Sequence, residues 1–220
     1  MFRTEGNTFK ASAKTNKTAF RTNVFTPSLL HPLITLLYLN DHLYDFDLDE
    51  ALTLLSPQRR QQALRFRHEQ GRRECVAAYL LLCQGLRQEY GITEPPLFDY
   101  SEHGKPSIVG HPDIHFNLSH CREAAVCMLS DRPVGVDVET LRSYNERLVA
   151  YTMNEQEQAQ ISAATSPRLE FIRLWTQKEA VMKLSGTGIT NDLKHALDSP
   201  PPLLRTIVAA NQRYVYSYCQ

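Results

Sequence analysis

The sequence predicts a mixed α+β protein, with strands and helices interspersed along most of its length. Three stretches carry that prediction. Pro133 to Glu139, read as Pro-Val-Gly-Val-Asp-Val-Glu, alternates its valines with other residues as a half-buried strand does. Val76, Tyr79, Leu80, Cys83 and Leu86 recur at helical spacing between Gly71 and Tyr90. Leu203 to Ala209 and Arg213 to Cys219 read as a closing pair of strands.

Composition narrows the class. The chain has 220 residues, 24 basic and 24 acidic, so its formal charge is zero. That length buries one good core, or two small ones in contact. A neutral balance argues against nucleic acid as the main partner. No membrane span is expected, because the apolar stretch Leu29 to Leu39 is short and is broken by His31 and Pro32. The five cysteines, at 75, 83, 121, 127 and 219, form no Cys-x-x-Cys pair. Their odd number reads as reduced thiols in a cytoplasmic protein rather than a disulfide framework or a zinc site. His111 and His115 are four apart, but Pro112 keeps them from sharing a helix face.

Each element follows from local chemistry. Residues 1–32 are rich in Thr, Asn, Lys and Arg, with Glu5 the only acid. They read as a disordered leader outside the fold, with an organelle transit peptide or a start codon placed too far upstream as the other readings. The fold is expected from residue 33, with a first strand over Ile34 to Leu39. Ser56-Pro57 reads as an N-cap followed by proline at the first helical position. The next helix, Gly71 to Tyr90, is stopped by Gly91. Arg65, Arg67, Arg72 and Arg73 cluster between these helices, either as a solvated basic surface or as a phosphate-binding patch.

Leu97 to Tyr100, Ile114 to Leu118 and Ala124 to Leu129 read as strands, the second ending in Ser119-His120. Asn117-Leu118-Ser119 fits the glycosylation pattern but is set aside, since no secretory signal is visible. Beyond Glu139, Thr152 or Asn154 caps a helix towards Ala163. Ser166-Pro167 opens another, which carries Trp175, Glu179 and Lys183 and ends at Gly186 and Gly188.

The chemistry lies on the acidic strand and the last helix. Val134, Val136 and Val138 point to a core, and Gly135, Asp137 and Glu139 point the other way. Two neighbouring carboxylates repel unless a positive group sits between them, and the glycine beside them is read as leaving open space. Mg2+ suits such a place, since it takes oxygen ligands from one or two carboxylates plus phosphates. The plain alternative is an edge strand with a solvated acidic face. Trp175, Glu179 and Lys183 fall at i, i+4 and i+8, one stripe of a helix. An ordinary surface pair is the plain alternative there. Taken together, three carboxylates and an amine point to one metal–phosphate site.

Gly135-Val136-Asp137-Val138-Glu139, then Trp175-Thr176-Gln177-Lys178-Glu179-Ala180-Val181-Met182-Lys183 and Gly186-Thr187-Gly188, resemble the signature of the 4′-phosphopantetheinyl transferases. Gly104-Lys105-Pro106 and Phe116-Asn117-Leu118-Ser119-His120 are similar to further motifs of the larger, surfactin-synthetase-activating type. Tyr151-Thr152-Met153-Asn154-Glu155 resembles that type's Phe-(Ser/Thr)-x-x-Glu element, with tyrosine for phenylalanine. The resemblance runs from about residue 33 to the end.

It implies an enzyme that moves the phosphopantetheine arm of coenzyme A onto a serine of an apo acyl or peptidyl carrier protein, releasing adenosine 3′,5′-bisphosphate. By the same resemblance, Asp137, Glu139 and Glu179 bind Mg2+. Glu179 takes the serine proton, and Lys183 holds the pyrophosphate or assists that transfer. Lys105, Ser119 and His120 contact coenzyme A, His120 at the 3′-phosphate, with Arg72 or Arg73 as a further anion contact. The implied fold has two similar α/β halves related by a pseudo-two-fold axis, 33–130 binding coenzyme A and 131–220 holding the metal and the catalytic groups. The type is expected to work as a monomer. The rival readings are a Mg2+-dependent phosphohydrolase built on the same three acids, and a non-catalytic module that binds coenzyme A or a carrier protein.

Overall fold

The structure is a computed structural model that describes residues 5–10, 19–25, 35–187 and 193–220. The first two strands, β1 (Glu5–Lys10) and β2 (Ala19–Phe25), pair antiparallel, and β2 pairs in turn with β3 (Thr35–Asn40). Part of the stretch read as a leader is therefore strand; the rest of it, with Leu33 and Ile34, lies outside the described residues.

Two short helices follow. Asp47 caps α1 (Leu48–Thr53) through the Glu50 amide, an element absent from the sequence reading. Ser56 caps α2 (Pro57–Leu64) through the Arg59 amide, with proline at the first position as its sequence requires. The long helix α3 (Glu69–Tyr90) ends at Gly91, whose φ of 67° is the left-handed turn that glycine adopts without strain. A hairpin of β4 (Phe98–Tyr100) and β5 (Pro106–Ile108) leads to β6 (His115–His120) and β7 (Ala125–Ser130).

The second part begins with β8 (Gly135–Thr140). The connection after it contains α4 (Glu146–Thr152), capped by Asn145. Asn154 then caps α5 (Glu155–Ala163) in a reciprocal box with Glu157. Of the two caps considered for this helix, Asn154 is the one used. The helix α6 (Pro167–Ser185) ends at Gly186 and is followed by a 3-10 turn, Leu193–His195, and the strands β9 (Leu204–Val208) and β10 (Tyr214–Cys219). Gly188 lies outside the described residues.

Both parts run strand, two short helices, a long helix and closing strands. In both, the last strand inserts between the first and the penultimate one, giving antiparallel orders β3-β7-β6 and β8-β10-β9. Alternation within strands then builds four layers. Leu36, Tyr38, Cys127 and Leu129 face α3, while Leu37, Leu39, Val126 and Met128 face the other way. These meet Val134, Val136 and Val138, with Tyr214, Tyr216 and Tyr218. The valine face of the acidic strand thus lies in the core between the sheets, all three valines at most 1% exposed. The opposite face receives α6, through Phe171, Ile172 and Leu174 against Val215.

The two sheets join where β6 runs beside β8. As an edge strand, β8 has amides without a ladder partner on that side. Val136 donates to Oδ1 of Asn117 at 2.9 Å, and Val138 to Oγ of Ser119 at 3.3 Å. Asn117, buried in this seam, is no glycosylation acceptor in the folded chain.

Candidate active site

The seam between β6 and β8 opens into a cleft of about 400 Å3, walled by β6, the β4–β5 hairpin, α2 and the end of α6. A recess continues from it along Ser119, Asp137, Glu139, Trp175, Glu179 and Lys183. Strand periodicity places Asp137 and Glu139 on the α6 side of β8, and helical periodicity turns Trp175, Glu179 and Lys183 towards them. The four groups read as one site are thus neighbours, although α6 starts 27 residues after β8 ends.

Gly135 departs from its reading. It does not leave open space beside the carboxylates: a Cβ there would press on the carbonyl oxygen of Ala180 and lie 2.7 Å from the amide nitrogen of Leu184. The space belongs to the backbone of α6, and the glycine is what lets helix and strand approach so closely.

The recess is electrostatically crowded. Nζ of Lys183 lies 2.6 Å from Oδ1 of Asp137 and donates to Oγ of Ser119 at 2.9 Å. Ser119 in turn donates to Asp137 at 2.8 Å. Asp137 is 4% exposed, and its Oδ2 is buried without a partner. Nε1 of Trp175 donates to Glu139 at 3.3 Å, and Arg142 stands 3.7 Å from the same carboxylate. Burial, and then the charge of Asp137, raise the pKa of both Glu139 and Glu179; Lys183 opposes this in each.

Among the described residues, no three metal-ligating side chains already stand grouped around one ion position. The amine of Lys183 neutralises Asp137 instead. The donor set nevertheless fits a hard cation: three carboxylates line one recess, and one buried oxygen has nothing to accept from.

The residues read as anion contacts fall in different places. Lys105 and His120 line the cleft. Lys105 donates from Nζ to the carbonyl of Leu184 at 2.8 Å, and burial lowers its pKa. Ser119 holds β8, Asp137 and Lys183 rather than reaching into the larger cleft. Arg72 and Arg73 do not line the cleft. Arg72 donates to the carbonyl of Phe66, and Arg73 binds Glu69 and the carbonyl of Phe46 while stacking on Tyr44 and Phe46.

Arg59, unremarked in the sequence, does line it, together with Gln62. It is 8% exposed, bonds Gln62 and the carbonyl of Cys75, and lies over the ring of Tyr79. Its Nε is buried without a partner. One turn of α2 separates Arg59 from the cap at Ser56, and that spacing carries no signal that this arginine turns inward while Arg60 does not.

The element read as Tyr151 to Glu155 also needs a shift. Tyr151 is exposed, and the acid that enters the fold is Glu157, two residues on. It pairs at 2.8 Å with Lys178, which is fully buried and also donates to the carbonyls of Leu193 and Lys194. This pair ties α5 and the 3-10 turn to α6, one residue before Glu179 in the chain.

Comparison with known proteins agrees with the geometry. A family model described as the 4′-phosphopantetheinyl transferase superfamily matches residues 133–218. The chain is 24% identical to the 4′-phosphopantetheinyl transferase Sfp of Bacillus subtilis over 157 residues, 70% of each chain. It is 33% identical to the 4′-phosphopantetheinyl transferase gsp of Aneurinibacillus migulanus over 138 residues, 61% of this chain and 57% of the relative. To the 4′-phosphopantetheinyl transferase HetI of Nostoc sp. it is 30% identical over 174 residues, 72% of this chain and 73% of the relative. With acids, amine and cleft arranged as described, the chain belongs to the 4′-phosphopantetheinyl transferase superfamily.

Proposed function

We propose that the protein transfers the 4′-phosphopantetheine group of coenzyme A to a serine of an apo acyl or peptidyl carrier protein, releasing adenosine 3′,5′-bisphosphate. The observation that carries this reading is the convergence of Asp137, Glu139, Glu179 and Lys183 in one recess beside a cleft lined by Arg59, Lys105 and His120. Lys105, His120 and Arg59 line that cleft and receive the donor's phosphates there, by charge and by exchanging hydrogen bonds now made within the protein.

Asp137, Glu139 and Glu179 are the residues that would hold Mg2+, which when bound offsets charge growing on the leaving group. The rest is the work of side chains. Glu179 accepts the proton of the carrier serine, directly or through a water, and burial makes it a better base than a free glutamate. The serine Oγ–phosphorus bond forms as the bond to the bisphosphate breaks. Lys183, released from Asp137, follows the phosphate oxygens. Trp175 keeps Glu139 oriented.

The repeated strand orders, each with a long helix on its outer face, support two halves related by a pseudo-two-fold axis, with the site at their seam. The halves, 33–130 and 131–220, then share the donor: the first supplies Arg59, Lys105 and His120, the second the acids. Five free thiols support a cytoplasmic protein, and the neutral charge leaves nucleic acid out. We take the two-halved chain to act as a monomer.

The test is mass spectrometry of a panel of apo carrier proteins after incubation with the protein, Mg2+ and coenzyme A. The expected result is a mass gain of one phosphopantetheine on at least one carrier, abolished by Asp137→Ala. Consumption of coenzyme A with no carrier present would favour a phosphohydrolase. Binding of coenzyme A without turnover would favour a non-catalytic module.

A further inference from the structure

His120, which lines the cleft, has a carboxylate against its Nδ1. Glu74, in the second turn of α3, places Oε2 at 3.3 Å from Nδ1 of His120. Its other oxygen accepts from the amide of Gln70 at 3.0 Å. Phe66 stands edge-on to the imidazole, with ring centroids 6.3 Å apart. The Glu74 side chain is 15% exposed, and among the described residues no lysine or arginine pairs with it. The nearby Arg72 and Arg73 are committed to backbone carbonyls, and Arg73 also to Glu69. A histidine placed to meet a phosphate is thus already engaged by an acid.

We propose that Glu74 sets donor selectivity by weakening capture of the nucleotide's 3′-phosphate. The proposal rests on the transferase reading, in which His120 faces that phosphate. A phosphate arriving at His120 must displace Glu74 from Nδ1, or bind through Nε2 alone beside a like charge, and either route costs part of the contact. A donor lacking the 3′-phosphate meets no such penalty. The cleft therefore discriminates weakly between coenzyme A and 3′-dephospho-coenzyme A, and the fixed carboxylate is the reason.

The test compares the full chain with Glu74→Gln and Glu74→Thr. Transfer is measured with coenzyme A and with 3′-dephospho-coenzyme A. Binding of adenosine 3′,5′-bisphosphate and of adenosine 5′-monophosphate is measured by calorimetry. The parent is expected to use both donors with KM values within a few-fold. Each variant is expected to favour coenzyme A about tenfold more than the parent does, the order expected on removing one like charge at a part-buried site. Affinity for the bisphosphate should rise and that for the monophosphate should stay. A merely structural Glu74 predicts equal loss for both ligands and both donors, and that result overturns the proposal. So does a parent that already prefers coenzyme A about a hundredfold or more. An active parent with unchanged selectivity in the variants removes Glu74 alone. A parent that transfers from neither donor removes the transferase reading and the proposal with it.

Discussion

Replacing Gly135 by alanine probes the contact that assembles the site. The added Cβ meets only backbone: the carbonyl of Ala180 and the amide nitrogen of Leu184, the latter at 2.7 Å. Neither atom can rotate aside. Restoring an ordinary 3.4 Å contact to Leu184 alone needs a retreat of 0.7 Å, and the carbonyl of Ala180 needs more. The helix must therefore move off β8 as a unit. Overpacking of this kind costs about 1–3 kcal/mol, and a clash with rigid backbone belongs at the upper end. For a chain of this size each kcal/mol lowers Tm by about 2–4 °C, so a fall of roughly 6–12 °C is expected.

Activity should suffer beyond that loss. Glu179 and Lys183 ride on α6, whereas Asp137 and Glu139 ride on β8, so the retreat separates the halves of the recess. A misplacement near 1 Å costs about a hundredfold in rate. Transfer should be assayed at a temperature where the variant is fully folded, with thermal melts alongside. Gly110→Ala is the control: its φ is 79° and nothing lies within 4 Å, so it should cost about 1–2 kcal/mol through strain and leave turnover intact. A Gly135→Ala protein with parental Tm and parental turnover would refute the close packing of α6 on β8 as the determinant of the site.

Two further outcomes follow from charge. Glu179→Gln should raise Tm near neutrality, because burial and Asp137 disfavour the charged acid in the fold. With the folded pKa above the unfolded one, that penalty is absent at about pH 4 and below, grows as pH rises from the unfolded pKa to the folded one, and is complete above it; the gain should vanish in acid, and a gain that persists there would contradict the assignment. Glu157→Gln should cost about 3–5 kcal/mol by leaving Lys178 buried and uncompensated, while the double change with Lys178→Met should recover much of it; equal melting points for the single and double variants would show that the pair does not act as a unit.

The sequence alone determined whatever depends on neighbours along the chain. Alternation told which face of Pro133–Glu139 is core, because strand side chains must alternate. Ser-Pro at residues 56–57, Gly91 and Gly186 marked helix ends, because capping and left-handed turns are local chemistry. The 3.6-residue period aligned Trp175, Glu179 and Lys183, and the motifs around them were specific enough to indicate the family. Polar, poorly patterned segments gave weaker signals, so α1 and α4 went unread.

Tertiary structure decided which groups meet. Arg59 and Arg72 are both arginines near helix starts, yet Arg59 lines the cleft and Arg72 turns onto the carbonyl of Phe66, since that choice depends on how α2 packs against α3. That Glu157 rather than Glu155 finds Lys178 was decided by the packing of α5 against α6. The pairing of Lys183 with Asp137, and of Glu74 with His120, joins residues 46 apart in each case. Gly135 makes the contrast plainest. Its alternation was readable, but whether its missing side chain leaves room for a ligand or for a helix depends on a backbone 45 residues away in the chain, brought there only by the collapse of both faces of the sheet.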